Sequence, residues 1–180
     1  MLDRRQLLAY AISLVGASST GAMTAYAATG SAGAPEHYFS EPRRALLDIV
    51  ADRMIPRTDT PGAVDVGAPA YMDRMMAHWA SQESKAAFDA ILDAIDVQAS
   101  AAHGKRFVML ETTAQTSVLR AYDAASLADP AGPYSRFKDL LMTAFFLSEP
   151  GATVVLRNEE VPGPWRGDIP LSEVGRAWAY

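Results

Sequence analysis

Proline and glycine fall along this chain at intervals that leave room for short helices and little else, and that spacing constrains the fold more than any other feature. Ile55-Pro56, Pro61-Gly62, Ala68-Pro69, Gly104, the run Asp129-Pro130-Ala131-Gly132-Pro133, and Pro150-Gly151 each mark an element boundary. Proline cannot continue a helix, and glycine supplies the left-handed residue that closes one. Between these breakers apolar residues recur at helical spacing. Leu46, Leu47, Val50, Ala51 and Met54 predict a first helix, with Ser40 as its cap and Pro42 in its first turn. Tyr71, Met72, Met75, Met76 and Trp79 predict a second with a broad, soft apolar face. Phe88, Ile91, Leu92 and Ile95 mark the inward face of a third over residues 84–102, stopped by Gly104. Thr112 and Gln115 have the spacing of a capping box, which predicts a fourth helix over residues 114–125. Phe137, Leu140, Leu141, Ala144, Phe145 and Leu147 predict a fifth, apolar around most of its circumference and therefore expected at the centre.

Residues 57–69, rich in Thr, Pro, Gly and Asp, are expected to form a long ordered loop. Beyond Pro150-Gly151 the segment from Val161 to Leu171 carries too many prolines for a helix or a central strand and is expected to be an extended arm. The fold class that follows is all-α: a small irregular bundle of about five helices with one long ordered loop and a non-helical Pro/Gly/Trp C-terminal arm.

Ahead of that body, Arg4 and Arg5 precede an apolar stretch from Leu7 to Gly16, and Ala25-Tyr26-Ala27 offers a small-residue exit. These are the three parts of an export signal, and the paired arginines point to the twin-arginine route, which carries folded cargo. Ser13, Gly16, Ser18, Ser19, Thr20 and Gly21 interrupt the stretch well short of the roughly 20 apolar residues a membrane span needs. The expected organisation is therefore a leader over residues 1–27, a flexible tether over 28–38 and a helical domain over 39–180, destined for the periplasm.

The chain has no cysteine, which excludes disulfides, thiolate metal sites and haem attachment through paired cysteines. Its three histidines, His37, His78 and His103, have no metal-ligand spacing. With 21 Asp plus Glu against 16 Lys plus Arg, it is a poor partner for nucleic acid. No nucleophile elbow, dinucleotide fingerprint or phosphate loop occurs, so no catalytic, cofactor-binding or metal-binding residue is assigned. Asp52, Asp59, Asp65 and Asp73 lack the spacing of a calcium loop and are read as turn and cap residues. The methionines Met72, Met75 and Met76 are read as core filler. The arm differs: Trp165 between Pro164 and Arg166, with Pro162 upstream, sets an aromatic anchor and a guanidinium on a stiffened segment, the residue types enriched at interface hot spots. Wrapping of the arm on its own bundle, with Trp165 and Ile169 buried, is the competing reading.

The stretch Ile49-Val50-Ala51-Asp52-Arg53-Met54-Ile55-Pro56, Thr58-Asp59-Thr60-Pro61-Gly62-Ala63, Gly67-Ala68-Pro69, Phe145-Phe146-Leu147-Ser148-Glu149-Pro150-Gly151-Ala152 and Pro162-Gly163-Pro164-Trp165-Arg166-Gly167-Asp168 together resemble the gluconate 2-dehydrogenase subunit 3 family. The resemblance implies a non-catalytic small subunit of a periplasmic dehydrogenase that oxidises sugars, sugar acids or alcohols. The implied large partner is a flavoprotein of the glucose-methanol-choline type that holds the FAD, and a cytochrome c subunit is a further possible member. Membrane association would come only through that complex. The small subunit would stabilise the large one and supply the Arg4-Arg5 export signal for both. Pro162, Pro164, Trp165 and Arg166 of the arm, with Asp59 and Pro61 of the loop, are the expected contact residues. Phe145-Phe146-Leu147-Ser148 departs from the Phe-Tyr-Thr-Ser frequent in the family. The rival reading is an autonomous periplasmic enzyme or ligand-binding domain whose active residues are scattered along the chain.

Overall fold

The computed structural model describes residues 36–126, 128–158, 163, 167–175 and 177. Its principal helices are α1 (Glu41–Met54), α2 (Ala68–His78), α3 (Gln82–His103), α4 (Thr112–Ser126) and α5 (Pro133–Phe146). A 3-10 turn (Phe107–Met109) links α3 to α4, a π turn (Gly151–Val155) follows α5, and a four-residue helix, α6 (Leu171–Val174), lies in the arm. The expected all-α bundle is what the chain forms, and no strand occurs among the described residues.

The breakers act where their chemistry requires. Ile55, ahead of Pro56, is the C-cap of α1. Gly104 closes α3 at φ 66, in the left-handed region, and its amide returns to Ser100 O at 2.8 Å. Three local expectations are corrected. Ser40 occupies the N-cap of α1, but its hydroxyl makes no capping bond; its carbonyl instead accepts from Arg44 N at 2.9 Å. The Thr112–Gln115 capping box does not form, because Gln115 is turned inward and buried, donating from Nε2 to Phe107 O at 3.3 Å. A buried amide must find a partner, and the carbonyl of the 3-10 turn is the one within reach. Trp79, expected inward on α2, is that helix's C-cap and stands 80% exposed, since the backbone leaves helical geometry there.

The core draws on every long helix. Leu47, Val50 and Ala51 of α1, Met72 of α2, Leu92 and Ile95 of α3 and Phe137 and Leu141 of α5 are nearly or wholly sealed from solvent. Burying each of these larger side chains contributes about 1.5–3 kcal/mol before entropy is counted. Phe107, fully buried, stoppers the space against α1 and α3, and Asp96 of α3 holds it in place by accepting Phe107 N at 2.7 Å. Helix α1 touches α2, α3, α4 and the 3-10 turn, α3 touches α1, α4, α5 and the 3-10 turn, and α5 lies against α2, α3 and the π turn, so the centre is shared among them. Helix α5 packs on α2 and α3 but leaves Met142 in solvent, and Leu147 just past its end is also exposed.

The start of the domain is fastened by one carboxylate. Asp73, 1% exposed on α2, accepts Tyr38 N at 2.9 Å and Phe39 N at 2.8 Å through one oxygen, and pairs with His37 Nδ1 at 2.7 Å through the other. Tyr38 then reaches α3, its hydroxyl donating to Asp89 at 2.7 Å, while Arg43 of α1 grips Asp89 and Asp93. At the far end, Gly151 enters the π turn so close to α5 that a Cβ there would lie 2.0 Å from Phe145 O. The arm beyond Val155 closes on itself through Arg157 N to Ala177 O at 2.8 Å. Among the described residues no helix is long and apolar enough to cross a membrane.

Candidate partner interface

Of the residues expected to carry function, Arg4, Arg5, Pro162, Pro164, Trp165 and Arg166 lie outside the described residues. The described parts of the arm are open: Gly163 is exposed, Ile169 is 40% exposed and Leu171 86% exposed. The reading that buries Ile169 on the bundle is thus not met at that residue.

Asp59 and Pro61 sit on the ordered loop between α1 and α2, Asp59 exposed and Pro61 half-buried. The loop is built from its own polar groups. Asp65 accepts Gly62 N at 2.8 Å and pairs with Arg57, and these bonds, the Arg57 pair foremost, hold its carboxyl below the usual range. Ala63 N returns to Ile55 O at 2.9 Å, which drives the Ala63 methyl fully into the core and turns Val64 outward. Glycine is required at 62, because a Cβ there would stand 2.6 Å from Arg57 N. Asp59 itself accepts from the Thr58 hydroxyl at 3.0 Å. The four aspartates read as turn and cap residues hold separate posts: Asp52 pairs with Arg53, Asp59 and Asp65 shape the loop, and Asp73 fastens residues 37–39. Of the methionines, Met72 and Met76 are core and Met75 is half-buried.

The bundle also presents features that spacing did not reveal. Large apolar side chains stand in water at Trp79, Val97, Met109 and Leu147, each at least two-thirds exposed. A cleft of about 270 Å³ opens where the C-terminal end of α1 meets α4 and α5. Arg53, Met54 and Ile55 line it from α1 and its cap, Thr116, Leu119, Arg120 and Asp123 from α4, and Tyr134, Lys138, Leu141 and Met142 from α5. Asp123 spans it, accepting Lys138 Nζ at 2.5 Å and the Tyr134 hydroxyl at 3.2 Å. The Tyr134 phenol is pushed well above its ordinary range, first by burial and then by the neighbouring Asp123 charge. Arg53 gives Nη2 to Asp52 at 2.6 Å, yet its Nε is buried without an acceptor. Arg120 is exposed, and its guanidinium makes no hydrogen bond or ion pair among the described residues.

The sequence carried one trace of this site. Thr116, Leu119, Arg120 and Asp123 fall at i, i+3, i+4 and i+7, a single face of α4. Arg53 and Lys138 come from other helices, and only packing brings them there. A second cleft, about 510 Å³, lies between α3 and the α4–α5 connection and is lined mainly by small side chains such as Ala87, Ala90, Ala125 and Gly132.

Compared with known proteins, residues 41–163 match the family model described as Gluconate 2-dehydrogenase subunit 3. The match runs from the first residue of α1 into the arm. No curated protein and no solved structure matches the chain.

Proposed function

The chain belongs to the gluconate 2-dehydrogenase subunit 3 family, and from that premise we propose that it is the non-catalytic small subunit of a periplasmic dehydrogenase acting on sugars, sugar acids or alcohols. Its partner in this reading is a large FAD-bearing subunit, which it binds and stabilises while both are still in the cytoplasm. Arg4 and Arg5 then carry the folded pair through the twin-arginine route, and a cytochrome c subunit joins at the periplasmic face of the inner membrane.

The observation that carries this reading is the family match across helices α1 to α5. Two further features favour it. Trp79, Met109 and Leu147 are large apolar side chains standing in solvent at a helix end, a 3-10 turn and a helix end, surface that a partner could cover. In sequence, Trp165 and Arg166 beside Pro162 and Pro164 are residue types enriched at interface hot spots.

Co-expression with the large subunit and capture of the tagged chain should recover a yellow, FAD-containing complex. Arg4→Lys together with Arg5→Lys should leave both subunits in the cytoplasm. Export of the large subunit alongside that double variant would refute the carrier role, and capture of the chain alone would refute the partnership.

A further inference from the structure

We propose that the cleft between α1, α4 and α5 receives a carboxylate of the large subunit: an Asp or Glu side chain presented next to an apolar residue. This inference rests on the reading of the chain as a partner-binding subunit and names the chemistry of one contact. The chain as a whole is acidic, with net charge −5, so a generic surface would repel an acidic segment. At the cleft Arg53, Arg120 and Lys138 stand against Asp123 among its lining residues and Asp52 beside Arg53, so cations outnumber carboxylates there. Lys138 is already matched by Asp123 and Arg53 by Asp52. What remains unmatched and open to the cleft is the exposed Arg120 guanidinium. A planar guanidinium fork is shaped for a carboxylate.

The rest of the cleft distinguishes a protein side chain from a free sugar acid. Ile55, Leu119, Leu141 and Met142 lie beside the donors, and the Tyr134 hydroxyl is committed to Asp123. A polyhydroxylated acid would set its hydroxyls against those apolar walls, where hydrogen-bond partners are lacking. An acidic residue with an apolar neighbour satisfies both sides at once. Leu119 and Leu141 belong to the core, so the walls exist before any ligand arrives and binding need not order them.

The test measures the affinity of the full-length chain for the large subunit. Arg120→Glu should weaken binding at least tenfold, and Arg120→Lys, which keeps the charge but not the fork, should weaken it to a lesser degree. Lys105→Glu changes net charge equally outside the cleft and should stay within about twofold of the unaltered chain. Circular dichroism confirms that Arg120→Glu, which alters an exposed side chain, stays folded. Unchanged affinity in Arg120→Glu, or an equal loss in Lys105→Glu, overturns the proposal. Titration of the chain alone with sodium gluconate and sodium acetate should show no saturable binding. Submillimolar binding abolished by Arg120→Glu would assign the cleft to a free acid and overturn the partner contact alone. If the unaltered chain does not bind the large subunit at all, the partner reading falls and this contact with it.

Discussion

Removing the Asp73 carboxylate should unfasten the start of the domain, and the two simplest replacements should do so to different degrees. One oxygen of Asp73 accepts both backbone amides, Tyr38 N at 2.9 Å and Phe39 N at 2.8 Å, while the other meets His37 at 2.7 Å. Asp73→Asn can keep its carbonyl oxygen at the first position, so both amides stay satisfied, though by a neutral acceptor. A hydrogen bond to a charged group contributes about 1.5–3 kcal/mol against about 0.5–1.5 for a neutral pair, which sets the cost of Asp73→Asn at roughly 1–2 kcal/mol. Asp73→Ala leaves both amides without an acceptor. Phe39 is itself buried, and each orphaned buried donor costs about 1–3 kcal/mol, so about 3–5 kcal/mol is expected in all. For a chain of this size each kcal/mol moves the melting temperature by about 2–4 °C, giving a fall near 10 °C for alanine and only a few degrees for asparagine. Thermal and urea unfolding of the purified chain, followed by circular dichroism, measures both. Equal damage from the two replacements would refute the assignment of the stabilisation to the amide-accepting oxygen. A loss under about 0.5 kcal/mol from alanine would refute the fastening altogether.

Two further outcomes follow from the packing. Gly151→Ala should be the most damaging glycine substitution in the bundle, costing about 3 kcal/mol or more, because its Cβ would be driven to 2.0 Å from a backbone carbonyl that cannot yield. Gly104→Ala, which meets no atom and bears only its positive φ, should cost about 1 kcal/mol, and urea midpoints compare the two. Burial foremost, then the hydrogen bond to Asp89, raises the Tyr38 phenol from 10.0 to about 12. The folded state therefore holds the proton more tightly than the unfolded one, so this contribution is complete below pH 10 and is lost as pH climbs from 10 towards 12. Ultraviolet titration of phenolate should show a component near pH 12 that Tyr38→Phe removes while the later Tyr134 component stays, and a titration unchanged by that substitution would refute it.

Local chemistry along the chain was enough to settle its division into helices. The 3.6-residue recurrence of Leu46, Leu47, Val50 and Ala51, the stop at Ile55-Pro56 and the left-handed closure at Gly104 depend on neighbours within a few residues, and all three are met. The roles of Asp59 and Asp65 in the loop belong to the same class, since their partners lie within eight positions. Where local rules went astray, tertiary competition had intervened. Gln115 exchanged a cap for the carbonyl of Phe107, and Trp79 was carried outward by the end of α2.

The family resemblance was legible in short boundary motifs, because turns and helix ends restrict residue identity in order. The cleft was not legible in that way. Arg53, Arg120 and Lys138 are separated by whole helices, and nothing in the spacing of one constrains the others. The sequence alone therefore determined an all-α chain, its breakpoints and its family. Only the packing of α1 against α4 and of α5 on its neighbours decided which charges meet, which apolar side chains stay in water, and which carboxylate holds the first residues down. Helix formation is satisfied by contacts three and four residues apart, whereas a site is a coincidence of side chains whose proximity exists only after the helices have docked.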